Sequence, residues 1–135
     1  MVIIGTKCRL EQIVTPELTA QAIGSGALPV FGTPFLLAMM ENAACTCLQS
    51  FLKEGQGSVG TYLDVRHTSP TPVGMKVTAE AELCDANERK IIFKVRAWDE
   101  CGLIGEGTHT RVIIDNRQFL DKCSAKLGQR SASAE

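Results

Sequence analysis

The chain has 135 residues, 44% of them apolar, with a formal net charge of −1. A length of this order buries one real core and suits one domain, while a near-neutral balance without a basic run excludes nucleic acid as the main partner. The longest apolar stretch is too short and too interrupted to span a bilayer, so no membrane partner is expected, and MVIIGTKCRLEQ lacks the apolar region and cleavage site of a signal peptide.

In chain order, residues 6–14 alternate Lys7, Arg9 and Glu11 against Cys8, Leu10 and Val14, which predicts a half-buried strand. Residues 16–23 predict one or two helical turns, with Thr15 as cap and Pro16 in the first position. The Gly- and Pro-rich GSGALPVFG of 24–32 reads as a loop. Thr33 is then expected to cap a long helix, with Pro34 as its first residue, running to about residue 53 and ended by Gly55 and Gly57. Strands follow over 58–67, 75–84, 91–98 and 103–114, with breakers at Pro70, Pro72 and Gly74 and hairpins at DANERK and DECG. Residues 116–126 predict a short terminal helix, and LGQRSASAE reads as a disordered tail. The expectation is an α+β fold, an antiparallel sheet on one helix, as a single domain over 1–124 with a disordered tail over 125–135.

Six cysteines, at 8, 45, 47, 84, 101 and 123, follow no disulfide framework. They read as reduced thiols of a cytoplasmic protein. With no CxxC, and with His67 and His109 far from any ligand cluster, no metal site is expected. Cys45 has apolar neighbours, which leave a thiol protonated and inert.

Two polar residues are out of place. On the long helix, Asn42, Thr46, Gln49, Ser50 and Lys53 fall within roughly 100° as a polar stripe, and Glu41 lies about 100° from its middle. Glu41 therefore projects from the packed side or its margin, where an unpaired carboxylate is costly. The period of two puts His67 on one strand face with Val59, Thr61, Leu63 and Val65, and puts Gly60, Tyr62, Asp64 and Arg66 on the other. If the first face wraps the helix, Glu41 and His67 could meet, and a carboxylate that orients an imidazole is a recurring catalytic arrangement. Thr33 adds a hydroxyl at a helix N-terminus, where developing negative charge is favoured. Each has a structural reading as well: Thr33 as a cap, Glu41 paired with an Arg, His67 as a hydrogen-bonded rim residue.

Thr33-Pro34, Glu41 eight residues on, His67 a further twenty-six on within DVRHTSPTPVGM, and IGEGTHTRVIID at 104–115 together form a fairly specific pattern. Over roughly residues 10–120 it resembles the fluoroacetyl-CoA thioesterase-like branch of the hotdog-fold thioesterases. The resemblance implies a homodimer of hotdog subunits, each sheet wrapped around its central helix, with sites at the interface that hydrolyse short acyl-CoA thioesters. Coenzyme A is then part of the substrate and no cofactor is required. The resemblance assigns catalytic roles to Thr33, Glu41 and His67, and substrate-binding roles to Gly60 and Phe31. His109 reads as structural or as a rim group near CoA. The fluoroacetyl enzyme carries a phenylalanine lid in the loop before the helix, whereas AIGSGALPVF offers only Phe31. Thioester chemistry is therefore expected here, but not fluoroacetyl selectivity. The attacking group is left open between Thr33 Oγ1, Glu41 and water. Rival readings are a non-catalytic acyl-CoA-binding domain and a hotdog hydratase or dehydratase; the latter would need an Asp and a His close together at the helix start, which are missing.

Overall fold

Alternating and apolar segments become five antiparallel strands in a computed structural model that describes residues 2–130. These are β1 (Lys7–Ile13), β2 (Gln56–His67), β3 (Lys76–Asn87), β4 (Lys90–Asp99) and β5 (Gly102–Asp115). They form one sheet in the order β1-β3-β4-β5-β2, so the twelve-residue β2 lies at a free edge. Three helices complete the fold: a four-residue α1 (Ala20–Ile23), the long α2 (Thr33–Gln49) and α3 (Asn116–Ser124).

The sheet curves over α2, the hotdog arrangement. Leu36, Met39, Met40, Ala43, Ala44, Cys47 and Leu48 of α2 are buried against the inner faces of β3 and β4. Those faces supply Val77, Ala79, Ala81 and Leu83, then Ile91, Phe93, Val95 and Ala97, all buried. Small residues on both sides let the helix approach closely, and Cys47 Sγ lies 3.5 Å from the Ala81 carbonyl oxygen. The predicted polar stripe of α2 is exposed throughout. At the β5–β2 side the interior changes character, and His109, Thr110 and Arg111 are buried.

Several expected boundaries move. Gly32, not Thr33, is the N-cap of α2, leaving Thr33 and Pro34 as its first two residues, and the helix ends at Gln49 rather than near residue 53. Thr15 makes no capping bond; a 3₁₀ turn spans Pro16–Leu18, and Thr19 caps α1 by accepting from the Ala22 amide at 3.1 Å. The expected disordered tail of 125–135 begins instead with a 3₁₀ turn over Ala125–Gly128, and its residues 131–135 lie outside the described chain. Among the described residues no helix is long and apolar enough to cross a membrane.

Candidate active site

Thr33 is free of capping duty because Gly32 has taken that position. Its Oγ1 lies 2.7 Å from Nδ1 of His67, the last residue of β2. When the hydroxyl donates to Nδ1, the ring proton sits on Nε2. That Nε2 is buried and has no hydrogen-bond partner among the described residues. Leaving such a group unpaired costs about 1–3 kcal/mol, which marks a place where an acceptor belongs. Burial pushes the His67 pKa below the ordinary imidazole value, opposed by the backbone of Ser69. The neutral ring is the form that can take a proton from a hydroxyl or water.

The local amides also favour negative charge beside Thr33. Phe35 and Leu36 amides turn back to the Gly32 carbonyl at 3.0 and 3.1 Å, and Pro34 has no N–H. The Thr33 N–H is thus the first amide of α2 without a place in the helix ladder, at the positive end of the dipole.

Glu41 has other neighbours. A β-carbon placed on Gly60 would lie 3.0 Å from Glu41 Oε2, 2.9 Å from His109 Cε1 and 3.4 Å from Arg111 Nη1. Three polar side chains therefore converge on the hydrogen face of one glycine. His109 is fully buried, and its Nδ1 lies 2.8 Å from the Tyr62 carbonyl oxygen. Arg111 Nη1 lies 3.2 Å from His109 Nε2. An arginine can only donate, so Nε2 accepts and Nδ1 carries the proton given to Tyr62. Burial, then the Arg111 charge, hold the His109 pKa below its usual value; the Tyr62 backbone and Glu41 oppose them. Arg111 itself is clamped by Ser58, through Nε to Oγ at 2.9 Å and Nη2 to the carbonyl at 3.0 Å.

A β-bulge explains why Gly60 faces this cluster. The β2–β5 register shifts between Gly60 and Tyr62, leaving Thr61 as the extra residue. One inserted residue reverses the alternation. Ser58 and Gly60 before the bulge thus share the inner face with Leu63, Val65 and His67 after it. The strict period of two, which put Gly60 opposite His67 and Thr61 beside it, is corrected here.

The expected meeting of Glu41 and His67 does not occur within one chain. Thr33 and Glu41 stand eight residues apart on α2, about 12 Å along its axis. Gly60, beside Glu41, and His67 stand seven residues apart on β2, on the order of 20 Å. The chain holds two separate clusters, Thr33–His67 and Glu41–Gly60–His109–Arg111. The first opens onto a concavity of about 310 Å³ that Phe31, Thr68, Ser69 and Pro70 also line. Phe31 is only 1% exposed and packs into the core, so it forms a fixed wall rather than a mobile flap. Of the two sequence readings of His109, structural or rim group near CoA, its burial fits the first, while the buried place of Arg111 was missed from sequence. Their signal was two titratable residues on the apolar face of a strand, the same signal that marked His67. Among the described residues no three His, Cys, Asp or Glu side chains cluster as a metal site would require.

A profile of the family described as fluoroacetyl-CoA-specific thioesterase matches residues 14–117. The fluoroacetyl-CoA thioesterase of Streptantibioticus cattleyicolor is 39% identical over 102 residues, 76% of this chain and 70% of that one. Among solved structures, a single-residue mutant of the fluoroacetyl-CoA-specific thioesterase FlK superposes with a TM-score of 0.87 at 32% identity, covering 93% of this chain and 98% of that one. A Thermus thermophilus protein described as a thioesterase superfamily member gives a TM-score of 0.87 at 29% identity, covering 96% of each chain. Sheet, central helix and these neighbours define a hotdog-fold thioesterase. The chain belongs to the fluoroacetyl-CoA-specific thioesterase family and is a thioester hydrolase.

Proposed function

We propose that the protein hydrolyses short or medium acyl-CoA thioesters as a cytoplasmic homodimer, with Thr33 and His67 of one subunit completed by Glu41 of a second. The observation that carries this reading is the 2.7 Å Thr33–His67 contact with the far ring nitrogen buried and unpartnered. A carboxylate is the acceptor such a nitrogen calls for, and Glu41 of the same chain is too far away. The free edge of β2 offers the means. Antiparallel pairing of β2 with its copy, centred near Leu63 and Asp64, sets Gly60 of one strand against His67 of the other. Tyr62, 57% exposed on that strand, would then be covered. All six cysteines are free thiols, which fits the cytoplasm.

In this site Glu41 accepts from His67 Nε2–H and holds the ring with Nδ1 facing Thr33. His67 then takes a proton from the nucleophile, Thr33 Oγ1 or a water on it. The Thr33 N–H and the helix dipole stabilise the thioester oxygen as it gains charge. The imidazolium, steadied by Glu41, returns the proton to the departing CoA thiolate; where Thr33 attacks, a water deprotonated by His67 then cleaves the threonine ester and the proton returns to Thr33 Oγ1. Beyond the CoA of the substrate no cofactor enters. Gly60 lines the acyl site because no side chain stands between Glu41 and the strand. FlK variants solved with fluoroacetate and with acetyl-CoA make small acyl groups the natural starting substrates.

Thiol release from acetyl-, butyryl-, hexanoyl- and phenylacetyl-CoA tests the activity. Glu41→Gln and His67→Ala are each expected to cost about a hundredfold or more in kcat with the fold intact, and the double variant little further. Near-normal turnover by both single variants would rule out this mechanism.

A further inference from the structure

A second cavity, of about 410 Å³, lies between the C-terminal half of α2, the start of β2 and α3. Its wall includes Cys45, Leu52, Val59, Ile114, Phe119 and Leu120. The remaining lining residues are uncharged, so the cavity suits neither the phosphates of CoA nor an acyl group with a terminal carboxylate. It shares no lining residue with the Glu41 cluster but lies next to it in both chain segments. Cys45 is one helical turn beyond Glu41, and Ser58, part of the cavity wall, is the residue that clamps Arg111 two positions before Gly60.

The outer wall is built to stand over this space. Asp115 caps α3 by accepting from the Gln118 amide at 2.9 Å, and the Asn116 amide donates to the Gly55 carbonyl at 2.9 Å. The Asn116 side chain lies where a β-carbon on Gly57 would fall. The helix is thereby pinned at its first turn to the start of β2. No residue of α3 is buried; Phe119 and Leu120 remain 41% and 60% exposed on the cavity rim. Aromatic and aliphatic side chains half-covered beside an uncharged pocket have surface left to bury on a ligand.

We infer that this cavity is the acyl-chain subsite. It rests on the thioesterase reading: with the thioester at Thr33 and His67 of one subunit, beside Gly60 of the other, an unbranched apolar chain of about four to eight carbons runs from Gly60 past Cys45 and Val59 to Phe119 and Leu120 of that second subunit. Chain-length preference is set here, at the α3 end, rather than by the loop before α2.

Specificity constants from thiol release on acetyl-, butyryl-, hexanoyl- and octanoyl-CoA test it. For the native protein kcat/KM is expected to rise about fourfold per methylene up to hexanoyl. Cys45→Phe fills the entrance and is expected to lower the hexanoyl-to-acetyl ratio of kcat/KM at least about thirtyfold. Leu120→Ala, a surface change that the fold tolerates, should lower the octanoyl-to-acetyl ratio about fourfold, and decides the matter if Cys45→Phe does not fold. A native profile flat or falling from acetyl to hexanoyl, or unchanged ratios in the folded variants, overturns the subsite while leaving the thioesterase reading in place. If no thioester in the series is hydrolysed, both fall.

Discussion

Thr33 and His67 show how a residue acquires a new task when its neighbour takes the old one. Threonine before proline is a strong cap signal, yet Gly32 adopts the extended cap conformation and the hydroxyl is left to meet an imidazole at 2.7 Å. The state of that imidazole, and of His109, gives a pH prediction. Burial lowers both pKa values below the usual one. As pH falls the unfolded chain protonates first and binds more protons than the folded one, so stability falls with it. Stability is expected to be full above about pH 6.5 and to be lost as pH drops through the lowered folded-state values. Melting temperature between pH 8 and pH 5 checks this, and a flat or rising curve on acidification would contradict it. His109→Gln removes one titrating ring and should make the descent shallower.

At the scale of the element, the bulge in β2 decides which residues face α2. Two neighbouring glycine contacts separate its functional and structural consequences. In Gly60→Ala the new methyl would press on Glu41 and His109 at 3.0 and 2.9 Å, side chains that can shift by a few tenths of an ångström. The fold should survive while kcat/KM falls about tenfold to a hundredfold, because Glu41 is displaced. In Gly107→Ala the methyl would meet the backbone at the Asp64 carbonyl and, 2.7 Å away, Val65 Cα. Backbone cannot yield so easily, and that variant should lose melting temperature or solubility. Equal stability of the two variants would refute this account of the β2–β5 pair. The loop over residues 24–30 carries a different prediction. It holds no aromatic, exposes Leu28, and leaves Phe31 fixed in the core. Specificity constants for fluoroacetyl- and acetyl-CoA should therefore be of similar size, and a preference of about a thousandfold for the fluorinated substrate would overturn that reading of the loop. The strands, α2 and the exposed stripe from Asn42 to Lys53 were legible because hydrophobic period depends on local sequence alone. The bulge was not, since an inserted residue changes the parity of a strand without changing its composition. The cost was specific: Gly60 was placed on the face opposite His67, and its approach to Glu41, His109 and Arg111 went unseen.

At the scale of the whole molecule, Thr33, Glu41 and His67 are all present in one chain, and the chain cannot bring them together. Sequence order marked them as candidates without their partition, because eight helical residues and seven strand residues become distances only when the elements are built. The proposed dimer predicts a result that a one-chain site cannot produce. Glu41→Gln homodimers and His67→Ala homodimers should each be nearly inactive. When their subunits exchange, each mixed dimer pairs Glu41 of the His67→Ala subunit with Thr33 and His67 of the Glu41→Gln subunit, restoring one site of two. Random exchange makes half of the dimers mixed, so activity should recover to about a quarter of the native value. Mixing after brief partial unfolding, followed by thiol release and sedimentation, measures both the recovery and the dimer. If each site were built from one chain, every site in the mixed dimer would still lack Glu41 or His67, and mixing would restore nothing. Sedimentation showing only a 14.6 kDa species would remove the interface on which the whole arrangement depends.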